Sequence, residues 1–176
     1  MPKLIALNKP FGVICQFSGG GNTLSDFVEI RNVYPVGRLD KDSEGLVILT
    51  NDGKLQNLIS NPRYKKIKTY VVQVEGEINK ETCVELQKGV NLKDGITRPA
   101  TVRIIPEPKW LWVRTPPIRV RKNIPTSWIE ISISEGKNRQ VRRMTASLGF
   151  PTLRLIRTNI NKWALGNIRP GSYIIL

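Results

Sequence analysis

Residues 37–50 read GRLDKDSEGLVILT. Asp40 stands between Arg38 and Lys41 in a polar turn, and the apolar run LVIL (46–49) follows it closely. A short β-branched apolar run reads as a buried strand. Such a strand can anchor a turn rigidly while leaving the carboxylate accessible. The cationic neighbours stabilise the ionised form, and an ionised carboxylate can act as a nucleophile or a base. The same pattern also suits an aspartate that merely caps a turn through its own backbone.

The rest of the composition narrows the chemistry. The chain has 176 residues, with 28 Lys and Arg against 14 acids, a formal net charge of +14 and no histidine. Its hydrophobic content of 40% is enough for a real core. A folded, non-repetitive chain this basic points to a polyanion, RNA or DNA before an anionic membrane surface. No apolar stretch is long enough to span a bilayer, and the opening MPKLIALNKPFG lacks the features of a signal peptide. We therefore expect a cytoplasmic protein with no membrane partner. Cys15 and Cys83 form no CxxC pair and read as two free thiols in a reducing compartment. Without histidine a zinc site is not expected. Any catalysis must run on Asp, Glu, Lys, Arg, Tyr or a bound ion.

Outward from the opening stretch, short strands are expected at 4–7, 12–15, 46–49, 67–75, 101–105, 110–114 and 128–134, with LRLIR and SYIIL closing the chain. Helices are expected at 24–30, after the Asn51–Gly53 turn, after the Asn79 cap and over RQVRRMTASLG. Residues 115–125, TPPIRVRKNIP, are too rich in Pro and Arg to pack and read as an exposed basic loop. Strands outnumber interspersed helices. That favours an α+β fold on a mixed, mostly antiparallel sheet.

Three further clusters can carry chemistry. In RYKKIKTY (63–70), strand alternation puts Lys68 and Tyr70 on one face, and a cation beside an aromatic suits a phosphate next to a stacked base. A solvated edge with a core tyrosine has the same pattern. In EGKNRQVRRM (135–144), Lys137, Arg139, Arg142 and Arg143 crowd the start of a helix against its macrodipole. A nearby anion, either phosphate or the Asp40 carboxylate, would account for them. The loop cations Arg119, Arg121 and Lys122 lie in sequence near Trp110, Trp112 and Trp128. Basic residues interleaved with aromatics suit irregular RNA better than a DNA groove, although most of the tryptophans are expected to fill core.

Together these motifs resemble the pseudouridine synthases. GRLDKDSEGLVILT is similar to the signature of the family's ribosomal branch, NKPFG to its first motif, KTY to its tyrosine motif and EGKNRQVRRM to its last. PPIRVRKNIPTSW and GFPTLRLIR further resemble the large-subunit synthase E subgroup. The resemblance implies a catalytic fold with flanking helices and a central basic cleft, and isomerisation of uridine to pseudouridine in 23S rRNA without cofactor or metal. It implies Asp40 as the catalytic carboxylate, Tyr70 as the ring stacking on the target uracil, Arg142 as the charge partner of Asp40, and Val141 as an apolar contact near the base. Arg38, Lys68, Lys137, Arg139, Arg143, Arg119, Arg121 and Lys122 are then candidates for RNA contact. It also implies a monomer with one catalytic domain over 1–176. Because the KPFG motif begins at Lys9, no N-terminal S4-type domain is expected. The competing readings are a non-catalytic rRNA-binding assembly factor, or a synthase acting on 16S rRNA or tRNA. A binding protein needs no nucleophile, so Asp40, Tyr70 and Arg142 occurring together separate the two classes.

Overall fold

A computed structural model describes residues 2–176. Two compact units are present: the residues up to Lys66 with Ile156–Leu176, and Ile67–Leu155. The first contains β1 (Leu4–Lys9), β2 (Tyr34–Val36), β3 (Glu44–Thr50) and α1 (Gly53–Ser60). The second contains β4 (Lys68–Glu75), α2 (Lys80–Lys88), β5 (Asn91–Leu92), β6 (Gly95–Ile96), β7 (Thr101–Ile105), β8 (Thr126–Ile133) and α3 (Gln140–Ser147). Strand β9 (Thr152–Ile160) begins in the second unit and ends in the first, where β10 (Trp163–Ala164) and β11 (Tyr173–Ile175) follow. The fold class is α+β, as expected from the sequence.

In the first unit, β3 is buried along its whole length. One edge pairs antiparallel with β1, from Leu4 opposite Thr50 to Lys9 opposite Gly45. On the other edge β9 pairs parallel at Glu44 and Gly45, and β2 takes over antiparallel from Ile48 to Thr50. A strand covered on both faces needs an unbroken apolar run, which is why LVIL does not alternate. Ile5, Leu7, Leu46, Ile48 and Leu49 are fully buried around it. Burial of five such side chains contributes on the order of 10 kcal/mol before entropy is counted. Asp52 caps α1 by accepting from the Lys54 and Leu55 amides at 2.9 and 3.4 Å.

The second unit is built on the antiparallel pairs β4–β8 and β8–β7, with β9 beside β4. Val72, Val74, Ile129 and Ile131 fill its core together with Leu86 of α2 and Met144 of α3. Asn79 caps α2 through the Thr82 amide at 2.9 Å, and Gly89 ends it at φ +108°.

Three local expectations fail. Residues 12–15 form no strand, only a single bridge from Ile14 to Thr23. The buried Lys9 ammonium takes the Pro10 and Val13 carbonyls, each at 2.8 Å, so the backbone wraps around it instead of extending. Residues 24–30 form only a 3-10 turn, Leu24–Asp26, although Asp26 does accept from the Thr23 amide at 3.1 Å. So short a segment cannot repay helix nucleation by itself. Residues 110–114 form no strand because their carbonyls and side chains are engaged otherwise. Arg154 takes the Trp112 carbonyl at 2.9 Å, and Arg114 turns back onto the Pro116, Pro117 and Leu153 carbonyls.

Gly45 of β3 lies opposite Lys9 of β1 and Arg157 of β9. It sits at φ +107°, and a Cβ there would meet the Arg157 carbonyl oxygen and come within 2.8 Å of the Arg157 nitrogen. Backbone cannot yield as a side-chain tip can. We predict that Gly45→Ala lowers unfolding free energy by about 3 kcal/mol or more, read as a urea midpoint shift. A loss below about 1 kcal/mol would show that the strand junction is not this tight.

Candidate active site

Asp40 lies in the link from β2 to β3, and both arms of that link are pinned within the first unit. Arg157, on β9 and only 2% exposed, donates from Nε to the Leu46 carbonyl at 2.9 Å and from a terminal nitrogen to the Gly37 carbonyl. One guanidinium thus ties the residues before and after the Asp40 turn. Its planar fork suits two divergent acceptors, which a lysine could not span. Inside the turn, the Ser43 amide donates to the Asp40 carbonyl at 3.1 Å and the Gly12 amide to the Lys41 carbonyl at 2.8 Å. Arg38 is exposed, yet its Nε donates to the Cys15 carbonyl at 3.2 Å. The Asp40 backbone is thereby fixed from several sides, while its side chain is half-buried.

Lys9 forms the floor of this region. It is fully buried, and its ammonium donates to the Pro10, Val13 and Lys41 carbonyls. Three acceptors match its three donors. Burial pulls the Lys9 pKa down to about 8, opposed by the charges of Cys15, Glu44, Asp42 and Asp40. Burial also pushes the Cys15 thiol up. Neither Lys9 nor Arg157 was singled out from the sequence. Each is a cation within an otherwise buried strand, a costly placement unless hydrogen-bonded, and that was the available signal.

The remaining candidates lie in the second unit. Lys68 and Tyr70 share a face of β4, opposite Ile133 and Ile131 of β8. Tyr70 is 8% exposed, and the Lys68 ammonium lies over Gly136. The start of α3 is built on Glu135, whose buried carboxylate accepts from the Arg98 amide and from Gln140 Nε2. Gln140 Oε1 in turn accepts from the Lys137 amide at 3.2 Å. Arg139 takes the left-handed conformation at the helix start, with its side chain exposed. Val141 is buried and Arg142 half-buried on the first turn.

Arg143 holds both oxygens of Asp94, at 2.7 and 3.2 Å, and donates from Nε to the Asn138 carbonyl. Its hydrogen bonds hold the Asp94 carboxyl below its ordinary range. Asp94, in the β5–β6 turn, therefore supplies the anion that the crowded helix start called for in the case of Arg143. Lys137 reaches the same turn through the Asp94 carbonyl at 3.5 Å. Arg119, Arg121 and Lys122 form a separate exposed group in the 106–125 connection. Of the tryptophans named from the sequence, Trp128 is core, Trp112 half-buried and Trp110 49% exposed. Among the described residues, no group of three or more His, Cys, Asp or Glu could hold a metal ion, and no helix is long and apolar enough to cross a membrane.

The depressed Lys9 pKa has a measurable consequence. Below pH 8 both folded and unfolded states carry the charge. Between about 8 and 10.5 the unfolded state binds more protons, so stability rises with pH. We predict that the stability gap between wild type and Lys9→Met widens by about 2 kcal/mol from about pH 7 to 9.5, measured by chemical denaturation across that range. A constant gap would show that the ammonium is not depressed.

Comparison with known proteins places these features in a family. The profile of the RNA pseudouridylate synthase family matches residues 3–147. The ribosomal large subunit pseudouridine synthase E of Vibrio parahaemolyticus is 51% identical over 97% of this chain and 72% of its own length. The protein of the same name from Xanthomonas campestris pv. campestris is 51% identical over 97% of this chain and 93% of its own. The ribosomal large subunit pseudouridine synthase B of Bacillus subtilis is 37% identical over 96% of this chain and 64% of its own. A crystal structure of a pseudouridylate synthase superposes with a TM-score of 0.84 at 27% identity, covering 100% of this chain and 70% of that one. The chain, with its Asp40 turn clamped by Arg157 and Lys9, belongs to the pseudouridine synthase family of RNA-modifying enzymes.

Proposed function

We propose that the protein converts a uridine of 23S ribosomal RNA to pseudouridine, with Asp40 as the reacting carboxylate. The names of the 51% identical relatives support a large-subunit target, and the net charge of +14 supports a large polyanionic substrate. One observation carries the assignment of the site: the Asp40 turn is held at both arms by one buried guanidinium. A turn that merely reverses the chain needs no such fixing. A carboxylate that must meet one atom of a substrate does.

The chemistry asks little beyond these residues. The C–N glycosidic bond breaks, the uracil rotates, a C–C bond forms in its place and the ring proton at that carbon is lost. Nothing is oxidised and no group is imported. The target must leave its stack. Tyr70 offers an aromatic wall to the displaced base, with buried Val141 as an apolar contact. Arg142 is proposed as the charge partner that orients the carboxylate. Lys68, Lys137, Arg139 and Arg38 are proposed to take phosphates. Arg143 contributes chiefly by ordering the β5–β6 turn, since its fork is already occupied by Asp94.

Unmodified 23S rRNA tritiated at uridine C5 tests the proposal. Wild type is expected to release tritium at a single position, mapped by carbodiimide-dependent reverse-transcription stops. Asp40→Asn should lower release by more than about a thousandfold while binding RNA normally. Binding without release by wild type would make the protein an assembly factor, and release by Asp40→Asn near the wild-type rate would remove Asp40 from the site. Tyr70 is proposed to take the ring proton late in the reaction. Tyr70→Phe should then slow tritium release, and an unchanged rate would exclude that role.

A further inference from the structure

The start of α3 gathers cations without acids of its own. Residues 136–147, GKNRQVRRMTAS, hold Lys137, Arg139, Arg142 and Arg143 and neither Asp nor Glu. Glu135, just before them, is buried and engaged by the Arg98 amide and Gln140. An anion is nevertheless delivered here from 49 residues away. Strands β5 and β6 form a small two-stranded sheet, and Lys93 and Asp94 make its turn. The Asp94 carboxylate accepts from both terminal nitrogens of Arg143, at 2.7 and 3.2 Å, while Arg143 Nε donates to the Asn138 carbonyl at 2.9 Å. Each of the three guanidinium nitrogens is therefore engaged. The Lys137 ammonium reaches the same turn at the Asp94 carbonyl, 3.5 Å away.

Holding the hairpin in place does not account for this contact. The base of the hairpin is closed separately, by the Thr97 amide on the Val90 carbonyl at 2.9 Å and the Val90 amide on the Thr97 hydroxyl at 2.8 Å. The pair at the turn is open, with the Arg143 and Asp94 side chains 32% and 49% exposed, and ion pairs this open contribute little stability. Ile96, the apolar residue of β6, is 69% exposed instead of serving as an anchor. What the contact does alter is the charge offered to a ligand. An arginine fork takes a carboxylate and a phosphate in the same bidentate geometry. Asp94 thus occupies the position that a backbone phosphate would take on Arg143. Phosphate contacts carry no sequence information and supply most of the non-specific affinity for nucleic acid. A helix start with every cation open would hold any RNA.

We propose that Asp94 is a specificity-determining residue, a built-in stand-in for phosphate that withholds Arg143 from RNA of arbitrary sequence. The proposal rests on the RNA-directed reading above but not on the chemistry of Asp40. Neutralising Asp94 while keeping its shape releases the fork for one more phosphate.

The test uses the whole protein and a fluorescein-labelled mixed-sequence single-stranded RNA of about 15 nucleotides, with anisotropy read from about 50 to 200 mM salt. Asp94→Asn should bind this RNA about fivefold more tightly than wild type at the low end, with a salt slope steeper by about 0.7. Adding Arg143→Ala should return both quantities to wild-type values. Glu81→Gln removes an exposed acid of α2 and measures the gain from net charge alone, expected below about twofold. The proposal is overturned if Asp94→Asn binds like wild type, if its gain equals that of Glu81→Gln, or if the gain survives in the double variant. An Asp94→Asn protein that no longer folds would make the pair a structural anchor and overturn it as well. Tritium release from 23S rRNA separates the two readings. Wild type that releases tritium, with Asp94→Asn binding unchanged, removes the stand-in and keeps the enzyme. Wild type that releases none, with Asp94→Asn gaining affinity through Arg143, keeps the stand-in and removes the enzyme.

Discussion

A single buried guanidinium ties the Asp40 turn into the first unit. Arg157 reaches from β9 to the Gly37 and Leu46 carbonyls, the two arms of that turn. Its own backbone packs so closely on β3 that only glycine fits at position 45. The strand pairing that creates this packing is the short parallel contact of β3 with β9 at Glu44 and Gly45. A charge buried this deeply would be destabilising alone, and the two carbonyls it satisfies would lose a partner without it. Each therefore requires the other. Lys9 repeats the device from the opposite strand, with three carbonyls around one ammonium.

The second unit uses a different economy of charge. Glu135 is buried and organises the start of α3 through Gln140 and the Arg98 backbone. Asp94 gathers Arg143, so part of the excess of cations is consumed in ordering the β5–β6 turn. Other arginines serve as hydrogen-bond scaffolds for irregular backbone, as Arg114 and Arg154 do. A high net charge thus overstates how many cations are available to a nucleic acid. Arg119, Arg121 and Lys122 remain exposed.

Much of this was legible in the chain. The buried β3 strand, the alternating β4 and β8, the caps at Asp52 and Asn79 and the glycine stops follow from local pattern and turn chemistry, and the structure has them. Two of the misread segments share one cause. Residues 12–15 and 110–114 are apolar enough for strands, but cations outside each segment claim their carbonyls: Lys9 for the Val13 carbonyl and Arg154 for the Trp112 carbonyl. Propensity describes a segment's own preference and contains nothing about a side chain arriving from elsewhere.

The division between sequence and fold follows from the same physics. The chain by itself determined the class of chemistry: no histidine, two isolated cysteines, a large cationic excess and the motifs around Asp40, Tyr70 and EGKNRQVRRM. Residue type and short-range spacing are written directly in the chain, so the family could be read there. Only the tertiary structure decided which cations are structural and which stay exposed. Lys9 and Arg157 look in sequence like any other basic residues. Their roles depend on burial and on carbonyls far along the chain, the Lys41 carbonyl for Lys9 and the Leu46 carbonyl for Arg157. Such pairings exist only once the strands are in register.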